Sequence, residues 1–488
     1  MKKVLALMAV LLIASVGIFC AVGATVNKDK ATVVITENIL YGDKSAAEGI
    51  TIKTQSRYDR HLFWDTTYTI GEPAECNTEF WFSAVELRRD NPRNHMKIAL
   101  NIDIAYGCDF NTPAEEQPGI ERAYKELYDA AKPGEELKKI IRLKDYYEYY
   151  PIGIEVDLPD TCWHGFAHEN LHWTEEHNDY KYVWNAFNEF FKIPVPEDMI
   201  MEISISKGHN SNEPTGIGSS FVDKDSYYMS TVSTYSDSKC FFTINNRTND
   251  GKFVDTSLIP GGYGIYAFAY GGEAKKKSKT GIDVDSLKMV YPLDKETVVV
   301  HLSMNTEKTK LLLLTNDGEE LLLTIIDATT MTELQKLSLG AGDLYEIREY
   351  GAEHELYEGR EFGSFIVLYL RGNKICLLVE NKEGEYEHKF TVDSAEVKVM
   401  NSDFVYWKYP SINYDGKRLV VVDYLFTGPY NNIPSCGYDV AVYEESGLTY
   451  YAEYGSSLSI HPYSDFYEEN CLPADDFRDD KFVIEFGE

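Results

Sequence analysis

The distribution of apolar residues divides the chain into stretches with different periodicities. An uncharged apolar run extends from Val4 to Ala24. Residues 25–115 show short runs of β-branched and aromatic residues separated by Gly, Asn, Asp and Pro, which predicts strands. Residues 116–197 carry apolar positions three or four apart, which predicts helices. Strand-like runs return in residues 198–488, so we predict an all-β dominated protein with an inserted helical block.

Three helices are predicted within residues 116–197. The first carries Ile120 and Leu127 at helical spacing. The second places Ile140 and Ile141 on one side and lysines on the other, and the third runs over about residues 180–192. Prolines close the second and third patterns, as is usual where helices end.

Hairpins that turn at glycines recur after residue 220. Glycine is favoured at such turns because it adopts positive φ without steric cost. Four of these glycines, 67, 66 and 63 residues apart, are Gly251, Gly318, Gly384 and Gly447. The spacing predicts repeated modules that bury their apolar faces by stacking on one another.

The hairpin region resembles β-propeller repeats. Residues 321–339 resemble the third and fourth strands of a propeller blade, with Ile326-Asp327-Ala328-Thr329 between them. The resemblance covers residues 220–460, and it implies a binding platform whose loops vary around a channel. We expect the last strand, Lys481–Phe486, to pair with an N-terminal strand and close the ring. The alternative fold is a set of tandem β-sandwiches, which alternating strands also permit.

The N-terminus has the pattern of an export signal. Lys2 and Lys3 precede the apolar run, and Val22-Gly23-Ala24 is a small-residue cleavage site. The run is also long enough to cross a bilayer if it is not cleaved. We predict insertion of this segment into the membrane during export, and a secreted or cell-surface location. The predicted organisation is a signal peptide or membrane anchor (1–24), an N-terminal β region (25–115), a helical insertion (116–197) and propeller-like repeats (198–488) that form one ring with 25–115.

Charge and cysteine content exclude several function classes. The chain has 79 acidic and 47 basic residues, a net charge of −32. Such a surface repels phosphate backbones, so no nucleic-acid partner is expected. The eight cysteines include no Cys-x-x-Cys pair. Their number and spacing therefore match neither a disulfide scaffold nor a zinc ribbon. No cofactor is expected on these grounds.

One motif resembles a catalytic metal site. His168-Glu169-Asn170-Leu171-His172 matches the His-Glu-x-x-His motif of zinc-dependent peptidases. The resemblance implies His168 and His172 as metal ligands and Glu169 as the catalytic base, and Glu189 is the candidate third ligand. At helical spacing, however, Glu189 points away from the apolar stripe of its helix. We therefore interpret the match as coincidental and keep a zinc hydrolase as an alternative.

A calcium loop is the second metal-binding pattern. Asn246-Arg247-Thr248-Asn249-Asp250-Gly251 begins like such a loop, but Ser257 stands where the bidentate glutamate belongs. A hairpin turn explains the pattern better.

Aromatic residues, tyrosine above all, are abundant in the chain. The chain has 36 tyrosines, with clusters at residues 146–150, 227–228, 263–270 and 450–454. Such rings fill strands and also suit sugar or peptide recognition. Our leading hypothesis is an exported, non-enzymatic binding or scaffold protein that recognises extracellular glycan or peptide through propeller loops. The alternatives are the zinc-dependent hydrolase and a glycosidase whose carboxylate pair the sequence does not identify.

Overall fold

A computed structural model gives the fold of the chain in two compact units. One unit comprises Met1–Asn91 and Leu344–Glu488, and the other comprises Pro92–Asp343. The structure describes residues 2–30, 34–58, 62–80, 95–100, 110–117, 119–159, 161, 178–209, 213–222, 227, 229–342, 344–350, 364–371, 374–393, 411–426, 434–456 and 482–487.

Strands dominate the described residues. The α-helices are α1 (Lys2–Lys30), α2 (Glu121–Ala130) and α3 (Asn178–Phe190). The first strands are β1 (Ile35–Gly42), β2 (Ile50–Tyr58), β3 (Leu62–Thr69), β4 (Glu75–Phe80), β5 (His95–Leu100), β6 (Glu136–Arg142), β7 (Ile152–Asp157), β8 (Ile200–Lys207) and β9 (Pro214–Phe221). They are followed by β10 (Thr231–Tyr235), β11 (Lys239–Ile244), β12 (Gly264–Tyr270), β13 (Ile282–Pro292), β14 (Val298–Met304), β15 (Lys310–Asn316), β16 (Leu321–Asp327) and β17 (Glu333–Ser338). The last are β18 (Leu344–Tyr350), β19 (Phe365–Leu370), β20 (Lys374–Glu380), β21 (Tyr386–Asp393), β22 (Ser411–Tyr414), β23 (Leu419–Phe426), β24 (Pro434–Glu444), β25 (Gly447–Ser456) and β26 (Phe482–Phe486).

Two of the three predicted helices are confirmed, namely the first as α2 and the third as α3. Within the residues whose side chains the structure describes, no helix is long and apolar enough to cross a membrane.

In the unit formed by Met1–Asn91 and Leu344–Glu488, the described residues form three antiparallel sheets. Their strand orders are β18-β19-β20-β21, β1-β25-β24-β23-β22 and β26-β2-β3-β4. The third sheet joins the two ends of the chain, because Ile484 of β26 lies opposite Ile52 of β2. The predicted pairing of the last strand with an N-terminal strand is therefore confirmed.

The β1/β22–β25 sheet is buried on both faces. Successive side chains of a strand point to opposite faces. Val440 and Val442 accordingly pack with Ile52 in one core, and Ala441 and Tyr443 pack with Leu377 in another. A two-sheet sandwich would leave one face of each sheet in water. Consecutive strand order together with packing on both faces makes this an all-β, propeller-like fold rather than tandem sandwiches.

The unit Pro92–Asp343 has the same consecutive strand order in its larger sheets, and it also contains α2 and α3. Its four-stranded sheets are β10-β11-β12-β13 and β14-β15-β16-β17, and its smaller sheets are β5-β7 and β6-β8-β9. Phe241 and Leu313 belong to the core between the two larger sheets. The opposite face of the β10–β13 sheet packs on the helices, where the ring centroids of Phe187 in α3 and Phe268 lie 5.7 Å apart.

The second predicted helix is wrong, because its residues form strand β6. This strand pairs with β8, and Ile140 lies opposite Glu202. Ile141 is buried, whereas Ile140 is 61% exposed, as the alternation of a strand requires. β-branched residues favour strands, and the pairing with β8 satisfies backbone groups that a short, lysine-rich helix would leave to water.

The glycine turns are confirmed, but they are not equivalent. Gly318, Gly384 and Gly447 have φ of 97°, 80° and 113° and each connects adjacent strands. Gly318 joins the second and third strands of its sheet, whereas Gly384 joins the third and fourth. Gly251 also has positive φ (87°), yet the next strand begins only at Gly264. The spacing of 63–67 residues is therefore not the period of the sheets.

Candidate functional site

The His-Glu-x-x-His motif is the first candidate site that the sequence predicts. His168, Glu169 and His172 lie outside the described residues. Glu189 lies in α3, where its side chain is 76% exposed and its carboxylate pairs with Lys192 at 2.5 Å. In the part of the chain that the structure describes, no three His, Cys, Asp or Glu side chains come together as a metal site would require.

The calcium-like pattern folds as a hairpin turn in the loop between β11 and β12. The Asn246 side chain donates hydrogen bonds to the backbone oxygens of Lys295 (2.7 Å) and Thr297 (2.9 Å). Its amide therefore joins this loop to the segment that enters β14. We call residues 245–263 the recognition loop.

A small hairpin forms the projecting part of the recognition loop. Arg247 pairs with Phe253 as an antiparallel bridge. Inside this pair, the Thr248 amide donates to the Lys252 oxygen at 2.8 Å, and Gly251 makes the turn. The backbone around Arg247 is therefore fixed by hydrogen bonds on both sides of the turn.

The base of the recognition loop is tied to the segment before β10. Asn245 Oδ1 accepts a hydrogen bond from the Ser230 amide at 2.6 Å. The Asn245 backbone oxygen accepts another from the Tyr227 hydroxyl at 2.8 Å. The Asn245 side chain and the Tyr227 hydroxyl thus serve as hydrogen-bond partners for backbone groups, as is common in loops without regular secondary structure.

Arg247 is the distinctive side chain of this loop. Its guanidinium carbon lies 4.5 Å from the centroid of the Phe253 ring, a cation–π arrangement. Its Nε is shielded from solvent and has no hydrogen-bond acceptor among the described residues. None of the ion pairs among the described residues joins the Arg247 guanidinium to a carboxylate. A buried donor without a partner costs about 1–3 kcal/mol.

Four buried tyrosines, one of them at the end of the recognition loop, belong to one core. The rings of Tyr150 and Tyr227 are 5.5 Å apart, and Tyr263 and Tyr266 belong to the same core. Burial raises the pKa of Tyr263 to about 12, although the nearby charge of Arg247 opposes that shift. The structure thus brings together three of the predicted tyrosine clusters, and it uses these four rings as packing.

The fourth tyrosine cluster forms a polar network in the other unit. Glu37 of β1 accepts hydrogen bonds from Tyr450 (2.7 Å) and Tyr454 (2.9 Å) of β25 and forms an ion pair with Lys44. The two phenols are themselves 2.6 Å apart. Burial alone would raise the pKa of Glu37, but these bonds outweigh burial and hold the pKa below its ordinary value. The network fastens the edge strand β1 to its sheet.

Two cysteines and one histidine have pKa values that burial shifts strongly. Burial raises the pKa of Cys376 to about 11 and also raises that of Cys240. Burial lowers the pKa of His301 to about 4. At neutral pH these groups are two buried, neutral thiols and a partly buried, neutral imidazole.

Comparison with known proteins gives a fold-level likeness only. No protein-family model matches the chain, and no curated protein matches its sequence. Among solved structures it is similar to a 6-phosphogluconolactonase-like protein from Bacteroides fragilis, with 8% identity, TM-score 0.27 and coverage of 84% of this chain and 95% of that one. It is also similar to the WD40 domain of SCAP from fission yeast, with 7% identity, TM-score 0.27 and coverage of 86% and 87%. The propeller-like description given above rests on the strand order of this chain itself.

Sequence reasoning missed Arg247 as a functional candidate. Its only sequence signal is an arginine within a polar turn of a strongly acidic chain. That no carboxylate of a described residue pairs with Arg247 is a property of the folded loop.

Proposed function

We propose that this chain is an exported, non-enzymatic binding or scaffold protein that recognises an extracellular glycan or peptide through its propeller-like loops. The observation that carries the proposal is the Arg247–Phe253 pair on the recognition loop. Phe253 is 41% exposed, so an apolar surface is presented together with a cation that has no carboxylate partner in the described part of the chain. Aromatic and arginine side chains dominate binding energy at protein interfaces.

Binding is favoured over catalysis by the states of the reactive groups that the structure describes. Cys240 and Cys376 are buried and their pKa values are raised by burial. The carboxylate of Glu37 is committed to two phenols and to Lys44. None of these groups is in the state that a nucleophile or general base requires near pH 7.

Export is supported by the surface of α1. Leu12 and Phe19 in this helix are 68% and 74% exposed. Large exposed apolar surfaces are unfavourable in water and mark segments that meet a membrane or a partner. Together with Lys2 and Lys3, this surface favours a secreted or surface-held protein, anchored by α1 if the segment is not cleaved.

Cell fractionation tests the export part of the proposal. The wild type should be recovered outside the cytoplasmic membrane or anchored on its outer side, and a Leu12→Asp variant should accumulate inside. Recovery of both proteins in the cytoplasm would contradict export.

A binding screen tests the recognition part. Purified protein is incubated with arrays of cell-wall glycans and of peptides, in parallel with an Arg247→Met/Phe253→Ser variant. We expect a subset of ligands to bind the wild type and to lose at least about tenfold in affinity with the variant. The matched control is Lys252→Met, which removes a cation from the same hairpin and should bind normally. A screen with no ligand for the wild type would refute the proposal.

A further inference from the structure

We infer that the recognition loop binds the free carboxyl terminus of a peptide that is neutral or basic overall, with Arg247 as the carboxylate ligand. The inference rests on the proposed binding function and narrows it to one ligand class. Three properties of the described residues support it: the donor geometry of Arg247, the apolar surface on the same loop, and the charge of the chain.

Arg247 is arranged to receive a carboxylate. Its guanidinium lies over the Phe253 ring, and its Nε is shielded from solvent with no acceptor among the described residues. The residue as a whole is only half-buried, so its terminal amino groups are the donors that remain for a ligand. A planar guanidinium pairs with a carboxylate through two parallel hydrogen bonds, which is the strongest neutral-pH recognition mode for that group.

The backbone preorganises this donor. The bridge to Phe253 and the turn bonds from Thr248 hold the hairpin, and Asn245 Nδ2 donates to the Arg247 backbone oxygen at 3.2 Å. A side chain held in place before binding loses less conformational entropy when the ligand arrives.

The neighbouring lysine does not share these properties. Lys252 lies on the same hairpin, but its ammonium pairs with Asp250 at 3.0 Å and its side chain is 64% exposed. Anion binding there would have to displace an existing ion pair. Arg247 and Lys252 therefore form a matched pair of cations, of which only the first is predicted to bind a carboxylate.

An apolar surface accompanies the cation. Phe253 is 41% exposed and Leu258, further along the same loop, is 49% exposed. A peptide terminus presents its carboxylate beside the side chain of its last residue. An arginine together with exposed apolar side chains therefore fits a terminus with an apolar last residue.

The charge of the chain selects among carboxylate ligands. A net charge of −32 repels polyanions, so a glycan that carries many acid groups is disfavoured. The same field attracts a peptide with basic side chains and a single terminal carboxylate. Asp255 on the recognition loop is exposed, and the Ser257 hydrogen bonds hold its pKa below its ordinary value, so it is ionised and available to a lysine or arginine of the ligand.

The test compares free and amidated termini on the full chain. Two hexapeptide libraries are made, each peptide carrying two lysines, one library with free carboxyl termini and the other with carboxamides. Equimolar mixtures are incubated with immobilised wild type, Arg247→Met, Arg247→Lys and Lys252→Met proteins, and the retained peptides are quantified by mass spectrometry. Thermal unfolding of each variant verifies that it is folded.

We expect wild type and Lys252→Met to retain carboxyl-terminal peptides at least about tenfold over amides. Arg247→Met should abolish that preference, and Arg247→Lys should keep only part of it because a lysine cannot bind in the bidentate mode.

The outcomes separate this inference from the proposed function. Equal retention of free and amidated peptides, or an unchanged preference in Arg247→Met, overturns the carboxylate assignment while peptide binding stands. Retention of glycans but of neither peptide library overturns the choice of a peptide. Failure to retain any glycan or peptide overturns the proposed function itself.

Discussion

The Asn413 side chain donates a hydrogen bond from Nδ2 to the backbone oxygen of Ile484, over 2.6 Å and across 71 residues of sequence. Asn413 lies in β22 and Ile484 in β26, which are edge strands of two adjacent sheets in one unit. Ser411 of β22 accepts a hydrogen bond from the Phe482 amide in the same way, at 2.9 Å. Buried edge strands leave backbone groups without ladder partners, and short polar side chains supply those partners here.

The other unit also has side-chain hydrogen bonds to the backbone of an edge strand. Thr231 of β10 accepts from the Ile98 amide at 2.6 Å and donates to the Ile98 oxygen at 3.0 Å. A single side chain therefore satisfies both backbone groups of one residue in the edge strand β5. The polar residues at these positions stabilise the contact between sheets and are not candidates for chemistry.

The first prediction concerns this contact. Asn413→Ala should lower the free energy of unfolding by about 1–3 kcal/mol, because the Ile484 oxygen is left buried without its donor. Urea denaturation followed by fluorescence measures the change. Asn38→Ala in the same unit serves as the control, since Asn38 is exposed, and it should stay within about 0.5 kcal/mol. Equal effects of the two substitutions would show that burial of the hydrogen bond is unimportant.

The second prediction concerns acid sensitivity. Burial lowers the pKa of His301 to about 4, from an ordinary value of 6.5. The unfolded chain therefore binds a proton between these two pH values while the folded chain does not. Protonation of His301 therefore leaves the free energy of unfolding unchanged above pH 6.5. As the pH falls toward 4 it lowers that free energy, by about 1–2 kcal/mol at pH 5.

A His301→Gln variant tests it. Between pH 7.5 and pH 5 the free energy of unfolding should fall less in the variant than in the wild type, by about 1–2 kcal/mol. The exposed His388 provides a control, and His388→Gln should show the wild-type pH dependence. A His301→Gln variant as acid-sensitive as the wild type would contradict the assignment.

The third prediction concerns the Glu37 network. Tyr454→Phe should destabilise the protein by about 1–2 kcal/mol, since the phenol is buried and donates to a charged acceptor. A double-mutant cycle with Glu37→Gln should show a coupling of about 0.5 kcal/mol or more between the two residues. Tyr41→Phe, on the same strand β1 but exposed, should be neutral. Additive effects of Tyr454→Phe and Glu37→Gln would mean that the network does not act as a unit.

The fourth prediction concerns zinc. Glu189, the third ligand that the motif would need, is exposed and paired with Lys192. We expect purified protein to contain less than about one zinc per ten chains and its thermal unfolding to be unaffected by EDTA, because a bound structural or catalytic zinc would stabilise the fold. Stoichiometric zinc that is lost in a His168→Ala variant would restore the hydrolase hypothesis.

Turn chemistry and apolar runs were enough to predict several elements. Asn316-Asp317-Gly318 and Lys382-Glu383-Gly384 lie at tight turns, because the need for positive φ at one position is a local property. The helical spacing around Phe187 predicted α3 correctly, since the apolar face of a helix follows from its own sequence.

The nature of β6 and the period of the sheets depended on distant residues. Leu137–Ile141 could form either a helix or a strand by local preference, and pairing with β8 decided for the strand. The 63–67 residue spacing of the glycines suggested one module, but the turns they occupy differ from sheet to sheet. Local sequence identifies a turn, whereas strand order fixes its position in a sheet.

The sequence by itself determined the strand-rich composition, the glycine hairpins, two of the helices and the acidic character of the chain. Only the tertiary structure decided which edge strands meet and which polar side chains join them. It also decided that Arg247, in a chain with 79 acidic residues, lies over Phe253 without a carboxylate partner among the described residues. The physical reason is that turn and helix preferences act over a few residues, whereas an ion pair or a buried hydrogen bond depends on which distant side chains folding brings within about 4 Å.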